Sequence, residues 1–308
     1  MRVAVVGATG FVGSYIVDLL LEQGHEVNQM VRPGSEHKAR HFQSSRIVSG
    51  NIESAASING LVSGCDAVIY SVGILRENTR KGITFENTQF NGVERTMKAA
   101  LANGVSRFLL MSANGVKVPG TRYQETKKRA EEMLLASDLD VTIFRPSVIF
   151  GNPRGRMEFA TQLFRDMVQK PIPAIDFFSG LRPADREIFM SPVNVKDVAR
   201  AFGSALNNPE TIGETYILGG AEDLSWSEVI QRIAAATGRK KWIIPIPIDL
   251  MRLAATLFDF LQFFPITRDQ LTMLQEGNTA NPRIIESLTG VAPAAFSVTQ
   301  LDYLNINT

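Results

Sequence analysis

From residue 1 to 150, short runs of apolar and β-branched residues alternate with longer stretches whose apolar positions recur every three or four residues. The runs predict strands at Arg2 to Val6, Glu26 to Val31, Arg46 to Gly50, Asp66 to Ser71, Ser106 to Ser112 and Asp140 to Arg145. The periodic stretches predict helices at Phe11 to Glu22, Ser54 to Leu61, Phe85 to Asn103 and Tyr123 to Ala136. Strands alternating with helices in this way imply an α/β fold, a Rossmann-like doubly wound parallel sheet with right-handed crossovers. Ligands of such sheets sit beyond the C-terminal strand ends. Gly7, Arg32, Ser71, Ser112 and Arg145 all fall at or just past such ends.

Beyond residue 150 the alternation loosens. Helical spacing continues over Arg156 to Gln169, while Lys170 to Asp185, rich in Pro, Gly and Phe, reads as a loop region. A strand is expected at Phe189 to Val195, a helix at Lys196 to Leu206 and a strand at Thr215 to Leu218. Ser225 followed by Glu228 predicts a capping box for a helix at Trp226 to Ala236. Trp242 to Pro247 reads as extended. The division expected is a dinucleotide-binding core at 1–150, completed by strands near 187–220, and a smaller C-terminal α/β lobe at 151–308. Asp249 to Phe264 reads as a helix whose polar residues share one narrow stripe. So apolar a helix needs cover, from its own domain, a protein partner or a membrane face.

The first strand runs into Gly7, Gly10 and Gly13 and then into a helix. In this context Gly7 permits the reversal, Gly10 removes a Cβ that would block a pyrophosphate, and Gly13 lets the helix lie close on the sheet. The helix N-terminus then faces the phosphates. Thr9, Phe11 and Val12 complete the turn. The second strand ends at Arg32 with no acid, which favours NADP(H) over NAD(H), because a guanidinium suits a 2′-phosphate and a carboxylate suits a 2′-hydroxyl. Asn51 and Ile52 stand where adenine would be contacted. Ser71, Val72 and Gly73 are small enough to let backbone approach a ribose.

Tyr123 and Lys127 are four residues apart and share one helix face. An ammonium beside a phenol is expected to lower its pKa, and such a tyrosine can exchange a proton with a carbonyl or alcohol oxygen. Ser112 is placed to hold that oxygen. With a nicotinamide at the sheet edge this makes a hydride-transfer site.

Composition narrows the rest. The 308 residues are 44% hydrophobic and 20% charged with a formal net charge of +1, so no footprint for nucleic acid is visible. The single cysteine, Cys65, permits no intrachain disulfide and reads as a core residue in a reducing compartment. His25, His37 and His41 do not form a metal spacing. With a core strand at residue 2, no leader is expected, and no apolar run is long enough to span a bilayer. The location expected is cytoplasmic, peripheral to a membrane if Asp249 to Phe264 docks there.

The motifs GATGFVG at 7–13, Ser112, YQETK at 123–127, RPSVIFG at 145–151 and PVNVKDVARAF at 192–202 resemble those of extended and atypical short-chain dehydrogenases/reductases of the epimerase/dehydratase type. The stretches SRFLLMSANGV, TRYQETKKRAEE and FPITRDQLTMLQEGN look most like the nucleotide-binding accessory subunit family of respiratory complex I. The resemblance implies NAD(P)H held by Gly7, Gly10, Gly13 and Arg32, with Tyr123 and Lys127 flanking the nicotinamide ribose. It also implies that Pro146, Ser147 and Val148 close over the cofactor.

Two functions remain open. One is an NADP-dependent oxidoreductase acting on a small carbonyl or alcohol of unknown identity, with Tyr123, Lys127 and Ser112 as its chemistry. The other is a catalytically quiet NADPH-binding accessory or assembly protein of a membrane-associated respiratory complex.

Overall fold

The computed structural model describes residues 1–178, 187–248 and 268–306. The expected helix at 249–264 lies outside the described residues. The chain divides into two compact units, one of Met1–Pro146, Val195–Ile217 and Ser287–Gly290, the other of Ser147–Asn194, Leu218–Glu286 and Val291–Thr308.

The first unit is built on a seven-stranded sheet. Its first six strands are β1 (Arg2–Val6), β2 (Glu26–Val31), β3 (Arg46–Ser49), β4 (Ala67–Tyr70), β5 (Arg107–Met111) and β6 (Asp140–Pro146). Their spatial order is β6-β5-β4-β1-β2-β3, and Thr215–Leu218 extends the sheet beside β6. Neighbours from β3 through to β6 pair in parallel. Sequence order reverses between β1 and β4, which creates the topological switch point of a doubly wound sheet.

The strands read as continuous apolar runs because both faces are covered. Over one face, Ala4, Val6, Val68, Tyr70, Phe108 and Ile143 pack with residues of α2 (Ala55–Val62), α3 (Gly92–Ala102) and α4 (Arg122–Leu135). Elsewhere in the unit, α1 (Phe11–Glu22) crosses the helix Val195–Leu206 closely. A Cβ at Gly203 would come within 2.9 Å of Leu19 Cδ2.

The helix expected from Phe85 starts as a π-helical turn, Glu86–Asn91, before α3. The capping box of α4 is complete, with Thr121 accepting from the Gln124 N–H and Gln124 from the Thr121 N–H. Of the segment 187–220 expected to complete this core, Val195–Ile217 belongs to the first unit. The short strands Phe189–Met190 and Val193–Asn194 belong to the second.

The second unit has its own core, including Phe150, Phe164, Phe177, Trp226, Ile230 and Phe296. Its helix Trp226–Ala236 carries the expected Ser225/Glu228 capping box. Two expectations are corrected here. The stretch 170–185 is not all loop, because Ala174–Phe178 forms a strand paired in parallel with Ile243–Pro247. The partner lies some seventy residues away, so flanking prolines dominate any local reading. The helix expected from Arg156 starts at Phe159, where the Glu158 carboxylate accepts from the Ala160 and Thr161 N–H groups.

Candidate functional site

The β1–α1 turn is a cradle defined by what cannot be there. Gly7 has φ +93°, and the Gly10 N–H donates to its carbonyl at 2.8 Å. A Cβ on Gly13 would collide with the Gly7 carbonyl, and one on Gly7 would meet Ser71 Oγ at 2.8 Å. Gly10 is exposed and forms the N-cap of α1; no side chain caps this end, and no acid lies in the first turn. An uncapped helix N-terminus with bare backbone before it is suited to an anion. Thr9 and Phe11 are half-buried around the turn, and Val12 is buried beneath it. The residues present therefore fit a dinucleotide pyrophosphate.

At the neighbouring strand ends, Arg32 is exposed just after β2. Asn51 turns its Oδ1 back to the Glu53 and Ser54 N–H groups at 2.9 and 3.0 Å, so this oxygen shapes its own loop. The Ile52 carbonyl accepts from Arg95 at 3.1 Å. Ser71 Oγ donates to the Val6 carbonyl at 3.0 Å, tying the end of β4 to β1. Val72 is half-buried, and a Cβ on Gly73 would sit 3.9 Å from Lys127 Nζ. Both the pyrophosphate turn and Lys127 thus border the ends of β1 and β4.

Ser112 follows β5, is 4% exposed, and its Oγ has no hydrogen-bond partner among the described residues. A buried unpaired hydroxyl costs roughly 1–3 kcal/mol, so one at a strand end calls for an incoming partner. Ser112 and Lys127 line one narrow crevice together with Val72, Gln89, Met111 and Ala130. Lys127 Nζ donates to the Met111 carbonyl at 3.2 Å and lies 5.7 Å from the centroid of the Tyr123 ring. Tyr123 is buried in the first turn of α4, edge-on to Phe85 at 5.6 Å.

Burial pushes the Lys127 ammonium down to about 8, against the opposing charge of Glu131. Burial also pushes the Tyr123 phenol up. This corrects the expectation that Lys127 draws the phenol towards ionisation. The ammonium lies beside the ring face and is itself desolvated, so burial outweighs charge. The phenol is held protonated, the form of a proton donor.

Three residues complete the picture. Glu131 is fully buried one turn after Lys127 and pairs with Arg145. The Arg145 guanidinium at the end of β6 is therefore committed to α4. Gln89 donates to the Ile74 carbonyl at 2.9 Å and accepts from Thr126 at 3.1 Å, fixing one wall of the crevice. The series Tyr123, Lys127, Glu131 at successive fourth positions was the available signal for Glu131.

Where the chain leaves β6, the Pro146 carbonyl accepts from the Asn114 N–H at 2.9 Å in the first unit. In the second unit Ser147 Oγ donates to the Asn278 carbonyl at 2.7 Å, and the Val148 carbonyl accepts from the Val193 N–H at 2.9 Å.

A protein-family profile described as NAD(P)H-binding matches residues 7–174, more than half of the chain. The chain is 26% identical to the ceramide reductase of Caulobacter vibrioides over 83% of this chain and 77% of that protein. It is 25% identical to the mitochondrial NADH-ubiquinone oxidoreductase 40 kDa subunit of Neurospora crassa over 85% and 67%. Among solved structures, it is similar to the UDP-glucose 4-epimerase of Thermus thermophilus in complex with NAD. That likeness has a TM-score of 0.72 at 19% identity and covers 100% of this chain and 99% of that one.

Proposed function

The chain belongs to the NAD(P)H-binding, epimerase/dehydratase-like family of short-chain dehydrogenases/reductases, and on that premise we propose that it is an NADP(H)-dependent oxidoreductase reducing a small carbonyl. The single observation that carries this reading is the buried, unpartnered Ser112 hydroxyl in one crevice with Lys127. A hydroxyl held ready without a partner is suited to a substrate oxygen.

A bound dinucleotide would supply a hydride for the carbonyl carbon. Gly7, Gly10 and Gly13 seat the pyrophosphate, Val12 and Phe11 shape the start of α1 beneath it, and exposed Arg32 meets a 2′-phosphate. Asn51 and Ile52 border the adenine, and Ser71, Val72 and Gly73 the ribose. Ser112 Oγ donates to the substrate oxygen. Tyr123, held protonated by burial, gives its phenolic proton to that oxygen as the carbon takes the hydride. Lys127 would hold the ribose hydroxyls of the bound dinucleotide. Pro146, at the end of β6, would border the nicotinamide.

One observation favours a second reading. The crevice at Ser112 and Lys127 is narrow. A site that tight suits a retained nucleotide with no substrate, as in a quiet accessory protein of a membrane-associated complex.

Calorimetry with NADPH and NADH tests the cofactor, and NADPH oxidation with a panel of aldehydes and ketones tests turnover. The reading expects tighter binding of NADPH, reversed in Arg32→Asp, and carbonyl-dependent oxidation lost in Tyr123→Phe. Tight NADPH without turnover establishes the second reading, and no binding of either nucleotide overturns both.

A further inference from the structure

The second unit carries an open cavity of about 450 Å³ remote in sequence from every residue of the nucleotide site. Two segments form it. One is Val168–Pro173, leading into the strand Ala174–Phe178. The other is Arg239–Trp242, leading into its partner Ile243–Pro247. The two strands run in parallel and the Ala174 N–H donates to the Trp242 carbonyl at 2.8 Å. Both leading segments therefore lie at the same end of the ribbon.

That end combines two properties. The cavity lining holds Lys170, Arg239, Lys240 and Lys241 and, among the described residues, no acidic residue. The nearest described carboxylate partner is Asp166, 3.9 Å from Lys170 Nζ and outside the lining. Beside these cations, large apolar side chains stand in water: Trp242 is 82% exposed, Ile172 60% and Ile244 49%. Lys241 holds the cavity together, donating to the Val168 and Lys170 carbonyls at 3.2 and 2.5 Å.

Cations alone would suit any soluble anion, and an exposed tryptophan alone any apolar partner. Together, an aromatic with aliphatic neighbours rimmed by lysine and arginine has the chemistry of a membrane interface, where rings sit at headgroup level and cations meet lipid phosphates. We propose that this end of the ribbon docks on an anionic phospholipid bilayer, with the cavity receiving a headgroup phosphate and Trp242 and Ile172 entering the interface. The proposal uses no residue of the nucleotide site and goes beyond both readings of it.

The test is co-sedimentation of the full chain with vesicles of phosphatidylcholine alone and with about 30% phosphatidylserine, since the attraction is to anionic lipid. Binding is expected only to the anionic vesicles. Each neutralisation, Lys170→Gln or Lys240→Gln, weakens it about five-fold, and both together about twenty-five-fold. Vesicles shift Trp242 emission to the blue, a shift lost in Trp242→Phe, whereas buried Trp226 stays unchanged. All three side chains are exposed, so these variants keep the fold; circular dichroism confirms it. Equal binding to neutral vesicles, unmoved Trp242 emission during sedimentation, or full displacement by millimolar inorganic phosphate each overturns the proposal, the last in favour of a site for a free anion.

Discussion

Lys127 on α4 donates its ammonium to the Met111 carbonyl at the end of β5, 3.2 Å away. This bond fixes the cation at the strand ends although water no longer solvates it. The folded chain holds the Lys127 proton only to a pH of about 8, against 10.5 for an ordinary lysine. Between those values the unfolded chain binds a proton that the folded one has released, so stability rises with pH across that window. At pH 7 the whole penalty applies, about 3 kcal/mol.

It follows that Lys127→Met is more stable than the native chain at pH 7. Allowing about 1 kcal/mol for the deserted Met111 carbonyl, the gain is about 2 kcal/mol. The advantage shrinks as pH approaches 10. Urea denaturation at both pH values measures it, and a destabilised variant at pH 7 would refute the account.

Glu131 keeps Lys127 charged. Its carboxylate is fully buried, pairs with Arg145 and opposes the desolvation of Lys127. Glu131→Gln lowers the Lys127 pKa further and costs about 3 kcal/mol through the stranded Arg145 charge. Nuclear magnetic resonance titration of the lysine reads the first effect and denaturation the second. An unmoved Lys127 titration would show that the two charges are uncoupled.

The glycines of the first turn separate folding from binding. A methyl group on Gly13 lands on the Gly7 carbonyl. Gly13→Ala therefore destabilises the protein by about 1–3 kcal/mol or more through overpacking. Gly10 has only that carbonyl nearby, 3.0 Å from its would-be Cβ, and is exposed. Gly10→Ala is expected to melt within a few degrees of the native chain while binding NADPH at least ten-fold more weakly. Thermal melts with and without nucleotide distinguish the two.

Arg107 is a structural cation. It is 7% exposed and donates to the Asp140 and Ala205 carbonyls and to the Thr142 and Thr211 hydroxyls, at 2.7 to 2.8 Å. It thereby joins β5 and β6 to the end of the helix Val195–Leu206. Arg107→Ala strands these groups and costs about 3–5 kcal/mol. Arg107→Lys does not restore the loss, because one ammonium cannot match a planar fork of donors. Denaturation midpoints of the two variants check this.

The sequence alone determined whatever is local and periodic in this protein. Valine-rich runs could only be buried strands, glycines between a strand and a helix could only be a tight turn, and Ser225 with Glu228 announced its own helix. Tyr123 and Lys127 share a face because 3.6 residues make a turn, whatever lies around them. Tertiary structure decided what depends on distant chain. Ala174–Phe178 is a strand only because Ile243–Pro247 pairs with it, and Arg145 meets Glu131 across a strand–helix interface. Whether Tyr123 is ionised or protonated was equally out of reach, since charge state follows burial. Burial is a property of everything that packs around a group, and no spacing along the chain encodes it.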